Sequence, residues 1–293
     1  MMKKRVVGLM LAAILLLAVS VSALAEVYIN AEPPEDWHER DLFRVVAVDT
    51  NRTDAMFLWC GGEAMMVDGG SGGYEEQFYA LMEQYGATSF KYLFSSHSDQ
   101  DHIEGLRYIM SHQRYPVGMF ISACEMSYED ELGFHQRAIN MIRRKGVEYH
   151  ITADGEELTL GGATLRVMRC NELWGRNARS ATLMITFGES RIFLTGDIDD
   201  RTMHYYAETY GEEALRADIV KSPHHGIARM PESFLKAVNA RLCFVTNMQK
   251  RVPDIEPNVK RYLPDATVLF CGDADILMET DGTDWYVWQT LNQ

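Results

Sequence analysis

Positive charge is scarce in this sequence: 28 Lys and Arg stand against 42 Asp and Glu, a net charge of −14. A protein that grips long duplex nucleic acid needs a basic face. The balance excludes a broad one and leaves only a local basic groove. Cysteine is sparse and scattered, with Cys60, Cys124, Cys170, Cys243 and Cys271 forming no C-x-x-C pair. The odd count and the apolar surroundings of several favour small buried thiols over a disulfide framework. Short repeats and low-complexity tracts are absent. Past the N-terminal residues no apolar run is long enough to span a bilayer, which excludes a transport channel. Histidine is missing between His150 and His204.

The N-terminus is where apolar residues concentrate. Lys3-Lys-Arg5 precedes an uncharged apolar run over 6–21, and Ser22-Ala-Leu-Ala25 stands before Glu26. This is the pattern of a signal peptide over residues 1–25, with cleavage after Ala25 and a secreted or cell-surface destination. Extended to Ala25, the run reaches the roughly 20 residues of an uncleaved anchor, the competing reading. After cleavage no stable membrane insertion is expected. No Cys follows the run, so a lipid anchor is not suggested. Cleavage removes three basic residues and no acids, so the charge becomes −14 − 3 = −17, over 293 − 25 = 268 residues. That length suits one large α/β domain.

Residues 26–40, with Pro33-Pro34, read as a linker, and 41–293 as the domain. Period-two and apolar stretches predict strands at 42–48, 55–60, 64–67, 92–94, 119–122, 156–160, 163–168, 181–187, 191–194, 218–221, 241–245, 276–280 and 285–288. Helical patterns fall at 74–85, 101–112, 128–145, 201–215 and 232–238, with Asp101 near an N-cap. The alternation predicts an α/β (α+β) fold of two β-plus-α halves, with two packed sheets and helices outside.

The chemistry concentrates in Ser96-His-Ser-Asp-Gln-Asp-His102. His97, Asp99, Asp101 and His102 could bind metal at the end of a strand, and alternating ligands could face two ions. A solvated acidic loop with a capping Asp explains the run equally well on its own. An EF-hand is excluded because its glycine and distal glutamate are absent. Three more strands end in polar residues of ligand type: Met65-Met-Val-Asp-Gly-Gly70, Ile192-Phe-Leu-Thr-Gly-Asp-Ile198 and Asp218-Ile-Val-Lys-Ser-Pro-His-His-Gly226. Each alone is explained by turn chemistry; four in this order point to a metal centre.

That order resembles the metallo-β-lactamase superfamily, and within it the hydrolase domain of the competence protein ComEC. The matching pieces are Val67-Asp-Gly-Gly70, Ser96–His102, Asn177-Ala-Arg-Ser180, Leu194-Thr-Gly-Asp197 and Lys221-Ser-Pro-His-His-Gly226. The resemblance implies a four-layer αβ/βα sandwich with two divalent ions, Zn or Mn. His97 and Asp99 would hold the first ion, and Asp101, His102 and His225 the second. Asp197 would bridge them. Asp101 would also orient the attacking water, and Asp68 would fix the ligand loop by hydrogen bonds. His224 remains a candidate proton donor or substrate contact, since either residue of the pair could be the ligand. Lys221, Asn177 and Ser180 are candidate substrate contacts. Arg176, Arg179 and Trp174 read either as substrate contacts or as loop surface.

Two departures from the family pattern matter. No histidine follows the first β-rich half, where Asn177 to Ser180 stand instead, so the first ion would be weakly held, be completed by water or arrive with substrate. Asp99 also stands where imidazole is common. Two divalent ions, three carboxylates and one hydroxide sum to roughly zero, against about +1 with histidine at 99. Oxygen for nitrogen also makes the site harder, favouring Mn²⁺ or Mg²⁺ beside Zn²⁺. The expected activity is that of an exported metal-dependent hydrolase using metal-bound hydroxide, a phosphodiesterase or nuclease. Its partner would be a phosphodiester or another small ester-type substrate, or single-stranded nucleic acid in a narrow groove. The alternatives are hydrolysis of a β-lactam or lactone, and a non-catalytic metal-dependent binding or scaffold protein.

Overall fold

The computed structural model describes residues 25–289; the expected signal segment lies outside them except for Ala25. The first half supplies β1 (Val27–Ile29), β2 (Phe43–Ala47), β3 (Met56–Cys60), β4 (Glu63–Val67), β5 (Phe90–Ser95), β6 (Val117–Ser122) and β7 (Glu148–Ile151). Helices α1 (Glu75–Gln84), α2 (Gln100–His112) and α3 (Phe134–Lys145) alternate with them. The second half supplies β8 (Glu157–Leu160), β9 (Ala163–Met168), β10 (Thr182–Phe187), β11 (Ser190–Leu194), β12 (Ile219–Lys221), β13 (Leu242–Val245) and β14 (Thr267–Phe270). Its helices are α4 (Asp200–Thr209), α5 (Gly211–Leu215), α6 (Glu232–Val238) and α7 (Ile255–Tyr262). The chain then returns to the first sheet as β15 (Ile276–Thr280) and β16 (Trp285–Gln289).

Nine strands form one sheet in the order β1-β16-β15-β2-β3-β4-β5-β6-β7, and seven form the other in the order β14-β13-β12-β11-β10-β9-β8. Strand periodicity explains the layering. Phe43, Val45 and Ala47 of β2 face the core between the sheets, where they meet Leu165, Leu183 and Ile192. Val46 of the same strand faces outward onto α1–α3 through Phe78, Ile109 and Ile139. The second sheet does the same, with Phe193 and Val220 packing under Tyr206, Phe234 and Val259. Helix, sheet, sheet, helix is the four-layer αβ/βα sandwich. Where the sheets turn parallel, β4, β5, β11 and β12 run side by side within their sheets. Their C-terminal ends open into loops that carry polar residues, the usual place for a ligand site in α/β sheets.

Several boundaries differ from expectation. Residues 26–40 are not a linker. β1 pairs in parallel with β16, and Trp37 is buried and donates from Nε1 to Glu279 Oε2 at 3.0 Å. A strand of three residues is too short to show a period. The expected helix at 201–215 is two helices, broken at Tyr210-Gly211 where Gly211 has φ 70°. α3 starts at Phe134, after an irregular stretch over 128–133 with a turn at 131–132. Asp99, not Asp101, is the N-cap of α2, so Asp101 lies in its first turn. All five cysteines are free and four are buried. No helix among the described residues is long and apolar enough to cross a membrane.

Candidate metal centre

β4 delivers the chain to Asp68, which is left-handed (φ 55°) and wholly buried. Gly69 follows and touches α2 backbone to backbone. A Cβ on Gly69 would lie 2.5 Å from Leu106 N, and one on Gly105 would overlap Gly69 O. Gly69 N donates to His102 O (2.8 Å) and Gly105 N to Gly70 O (3.0 Å). These bonds lock the first turn of α2 onto the loop after β4. They set His102 against Asp68, with Nδ1 2.8 Å from Oδ2. Asp68 also accepts from Ser96 N (2.8 Å) and Ser96 Oγ (2.7 Å), and Ser96 Oγ meets His97 Nδ1 at 3.0 Å. One carboxylate thus orients two imidazoles, one directly and one through a serine. Both Nε2 atoms are left facing inward.

β12 ends at Lys221, and after Ser222-Pro223 come two consecutive left-handed residues, His224 (φ 50°) and His225 (φ 53°). Left-handed backbone at a residue other than glycine costs on the order of 1–3 kcal/mol and concentrates at functional sites. His225 is buried, and its Nδ1 lies 3.0 Å from Asp54 Oδ1 and 3.2 Å from Thr246 Oγ1. Thr246 Oγ1 in turn donates to Asp54 Oδ1 at 2.6 Å. His225 Nε2 therefore also faces inward.

The inward nitrogens meet Asp197, from the loop after β11. Its Oδ2 lies 3.2 Å from His102 Nε2 and 3.3 Å from His225 Nε2, and those two nitrogens are 3.3 Å apart. Asp101 Oδ2 is 3.3 Å from His225 Nε2. Ligand atoms tetrahedrally placed about 2.0–2.1 Å from one ion lie about 3.3 Å from each other. His102, His225 and Asp197 meet that measure for one divalent ion, and Asp101, 3.3 Å from His225 Nε2 but 4.0 Å from His102 Nε2, stands at its edge. On the other side of Asp197, His97 Nε2 lies 3.9 Å from Oδ2 and 3.6 Å from Asp99 Oδ2. His97 Nε2 is buried without a hydrogen-bond partner, as a nitrogen reserved for a metal would be.

Residues 48–202, just over half of the chain, match the sequence model described as the Metallo-beta-lactamase superfamily. The chain belongs to that superfamily. No curated protein matches it. Among solved structures it is similar to the metallo-beta-lactamase fold protein YhfI from Bacillus subtilis, at 12% identity and TM-score 0.54, over 82% of this chain and 100% of that one. It is also similar to Igni18, a metallo hydrolase from Ignicoccus hospitalis KIN4/I, at 12% identity and TM-score 0.50, over 85% and 99%. A third is CmlA, a diiron beta-hydroxylase from Streptomyces venezuelae, at 17% identity and TM-score 0.52, over 79% of this chain. The chain spans about half of that protein's length, 52%. At these identities the likeness is one of fold. The superfamily is generally one of metal-dependent hydrolases, and the site has the buried Asp and His residues to hold divalent metal.

Among the described residues of this superfamily member, Asp54, His102, Asp197 and His225 form a compact group of metal-type ligands, with donor atoms within 4.8 Å of one another. Asp54 had no signal in the sequence and is the residue that motif reasoning missed. It comes from a loop with no ligand pattern around it. Its oxygens face the Nδ1 side of the imidazoles, 3.0 Å from His225 and 3.8 Å from His102. It therefore stands behind the ligands, and an ion on their Nε2 atoms lies beyond its reach. Asp101, at the rim, stands with Asp197 on the Nε2 side.

The Lys221 expectation is corrected. The side chain has no exposed surface, and Nζ lies 2.7 Å from Asp54 Oδ2 while donating to Gly196 O (2.9 Å) and Ser222 O (3.2 Å). It neutralises Asp54 and cannot touch a substrate. Ser180 is likewise wholly buried at the start of β10 and offers a substrate no surface. Asn177 does lie at the site, with Nδ2 3.5 Å from the ring nitrogens of His224. Arg176 pairs with Asp99 Oδ1 at 2.7 Å. Arg179 donates to Leu173 O and stacks 4.7 Å over the Trp174 ring, bracing the loop. Trp174 is 78% exposed. Trp174, Arg176 and Arg179, together with His97, Tyr128 and Ile151, line a cleft of about 680 Å³.

Without metal the site is a knot of buried charge. Burial alone would lower the pKa of His102, but Asp197 and Asp68 raise it well above the ordinary range. His225 is raised likewise, by Asp197 and Asp54 against its burial. Burial pushes Asp101 up, yet the hydrogen bond from His225 and the charge of His102 bring it down to about 2. Asp197 is held well below the carboxylate range by the same two imidazoles, against desolvation. His224 differs: burial lowers its pKa.

Proposed function

We propose that this protein is an exported two-metal phosphodiesterase, acting on a small phosphodiester or on a single nucleic-acid strand, in line with its resemblance to the ComEC hydrolase domain. The observation that carries the reading is the pairing of Asp99 with Arg176, which also lines the cleft. Asp99 adds a third carboxylate to Asp101 and Asp197, which suits a hard divalent ion and a site of low net charge. Arg176, 46% exposed at its side chain, supplies the cation that an anionic substrate needs beside such a site. Divalent ions held there would polarise phosphoryl oxygens and lower the pKa of water. Asp101, at the rim and ionised through the acid range, is placed to orient a water or take its proton. Trp174 offers an exposed ring face for stacking, held by Arg179. The apolar Tyr128 and Ile151 in the same cleft favour the second reading, a β-lactam or lactone hydrolase.

Export rests on the N-terminal pattern. Cleavage after Ala25 would leave the Glu26 nitrogen, now 3.0 Å from Asp284 Oδ1, as an ammonium beside a carboxylate. N-terminal sequencing of protein recovered from the medium or cell surface is expected to begin at Glu26.

The activity test uses metal-free protein reloaded singly with Mn²⁺, Zn²⁺ or Mg²⁺. The assay substrates are an aryl phosphodiester, single-stranded DNA and a chromogenic β-lactam. Phosphodiester cleavage is expected, and is lost in Asp101→Ala and Asp197→Ala. Turnover of the β-lactam alone would sink the proposal. Metal binding with no turnover of any substrate would favour the scaffold reading.

A further inference from the structure

We infer that His224 is a ligand of the first metal position, completing with His97, Asp99 and Asp197 a set that lacks an imidazole from the middle of the chain. The inference rests on the two-metal reading above. Four imidazole Nε2 atoms surround a single oxygen, Asp197 Oδ2, and they fall into two pairs. His102 and His225 stand at 3.2 and 3.3 Å. His224 and His97 stand at 3.8 and 3.9 Å. The near pair, with Asp101, makes one donor set. The far pair, with Asp99 Oδ2 at 3.6 Å from His97 Nε2, makes the other. A bridging carboxylate between two ions calls for this division.

Local structure supports the same role. His224 is left-handed like His225, although only one of the two is needed for the inner set. Its backbone N–H donates to Gly196 O at 3.2 Å, tying it to the loop that carries Asp197. Its side chain is only 33% exposed, turned toward Asp197 rather than into solvent. Asn177 Nδ2 lies 3.5 Å from its ring nitrogens. The stretch without histidine thus meets His224 directly, through Asn177. Residue 224 brings an imidazole to within 3.8 Å of Asp197 Oδ2, so the missing mid-chain imidazole need not imply a missing ligand.

The test is metal stoichiometry, with activity read separately. Metal-free wild type titrated with Mn²⁺ is expected to take up two ions and to give a spin-coupled EPR signal. His224→Asn keeps a side chain that tolerates left-handed backbone. It is expected to retain one ion, lose affinity for the other by about 100-fold or more, and show only the six-line spectrum of isolated Mn²⁺. In wild type titrated with Zn²⁺, the imidazole ¹⁵N resonances of His224 and His97 should shift together, separately from those of His102 and His225. That readout needs no variant. Retention of both ions by His224→Asn with only a raised KM would overturn the assignment in favour of a substrate contact. Uptake of a single ion by wild type, or an unshifted His224 resonance, would overturn it too. Loss of one ion in His224→Asn with no phosphodiester turnover by wild type would leave the ligand assignment standing and remove the phosphodiesterase reading.

Discussion

Lys221 Nζ lies 2.7 Å from Asp54 Oδ2, and neither side chain has any exposed surface. The pair stands directly behind His225, whose Nδ1 shares Asp54 with the lysine. Desolvation would push the Asp54 carboxyl up, but Lys221 and His225 hold it well below the usual range. Lys221 is thus the fixed counter-charge that keeps Asp54 anionic and His225 oriented.

Lys221→Ala should leave Asp54 as an uncompensated buried charge and destabilise the fold by about 3–5 kcal/mol. Urea unfolding of the metal-free protein measures this. A lysine serving only to bind substrate would leave the midpoint unchanged.

Asp68→Asn keeps the shape of the side chain but weakens its hold on Ser96 and His102. Loss of such an orienting carboxylate is expected to lower metal affinity by about 10–100-fold. Isothermal titration with Zn²⁺ reads the change, and an affinity within twofold of wild type would refute the role.

The metal-free protein should be most stable between the two sets of titrations at its centre. His102 and His225 have raised pKa values, so the native state holds protons that the unfolded chain releases. Their contribution is full below the ordinary imidazole value of 6.5 and is lost as the pH climbs through their folded values. Asp101 is depressed from 3.8 to about 2, so its contribution is present above 3.8 and is lost as the pH falls through about 2. Thermal unfolding with chelator should therefore show a falling Tm from neutral to alkaline pH. Added Zn²⁺ should displace the imidazole protons and raise Tm most at the alkaline end.

Asp99→His replaces a hard donor by a softer one and frees Arg176. Zn²⁺ should gain over Mn²⁺ in competition titrations. An unchanged preference would refute the argument that the carboxylate hardens the site.

Trp37→Ala tests the N-terminal segment. The indole is buried against the first sheet and bonded to Glu279. A loss of about 3–5 kcal/mol is expected on unfolding in urea. A loss below about 1 kcal/mol would fit a linker.

Much of the site was legible because its residues sit where local pattern and chemistry coincide. Asp68, His97, Asp197 and His225 each follow an apolar strand, and such a strand identifies its own end by the polar residues after it. The layering was legible for the same reason, since Val45 and Val46 must face opposite ways whatever they pack against. Asp54 was not legible. It precedes a strand, in a stretch that reads as ordinary turn chemistry, and its partners come from β12 and the loop after β13. Lys221 was read as a free cation because lysine is almost never fully buried unless paired. Its pairing acid lies 167 positions away. β1 escaped because its only strand partner, β16, lies at the other end of the described chain.

The sequence by itself determined which residues end the strands and therefore which donors could reach a common edge, because periodicity and turn chemistry act over a few residues. Only the tertiary structure decided which of those donors face an ion and which stand behind it. Burial, charge pairing and imidazole orientation depend on side chains brought together from distant segments, and desolvation makes those pairings obligatory once the sheets close over them.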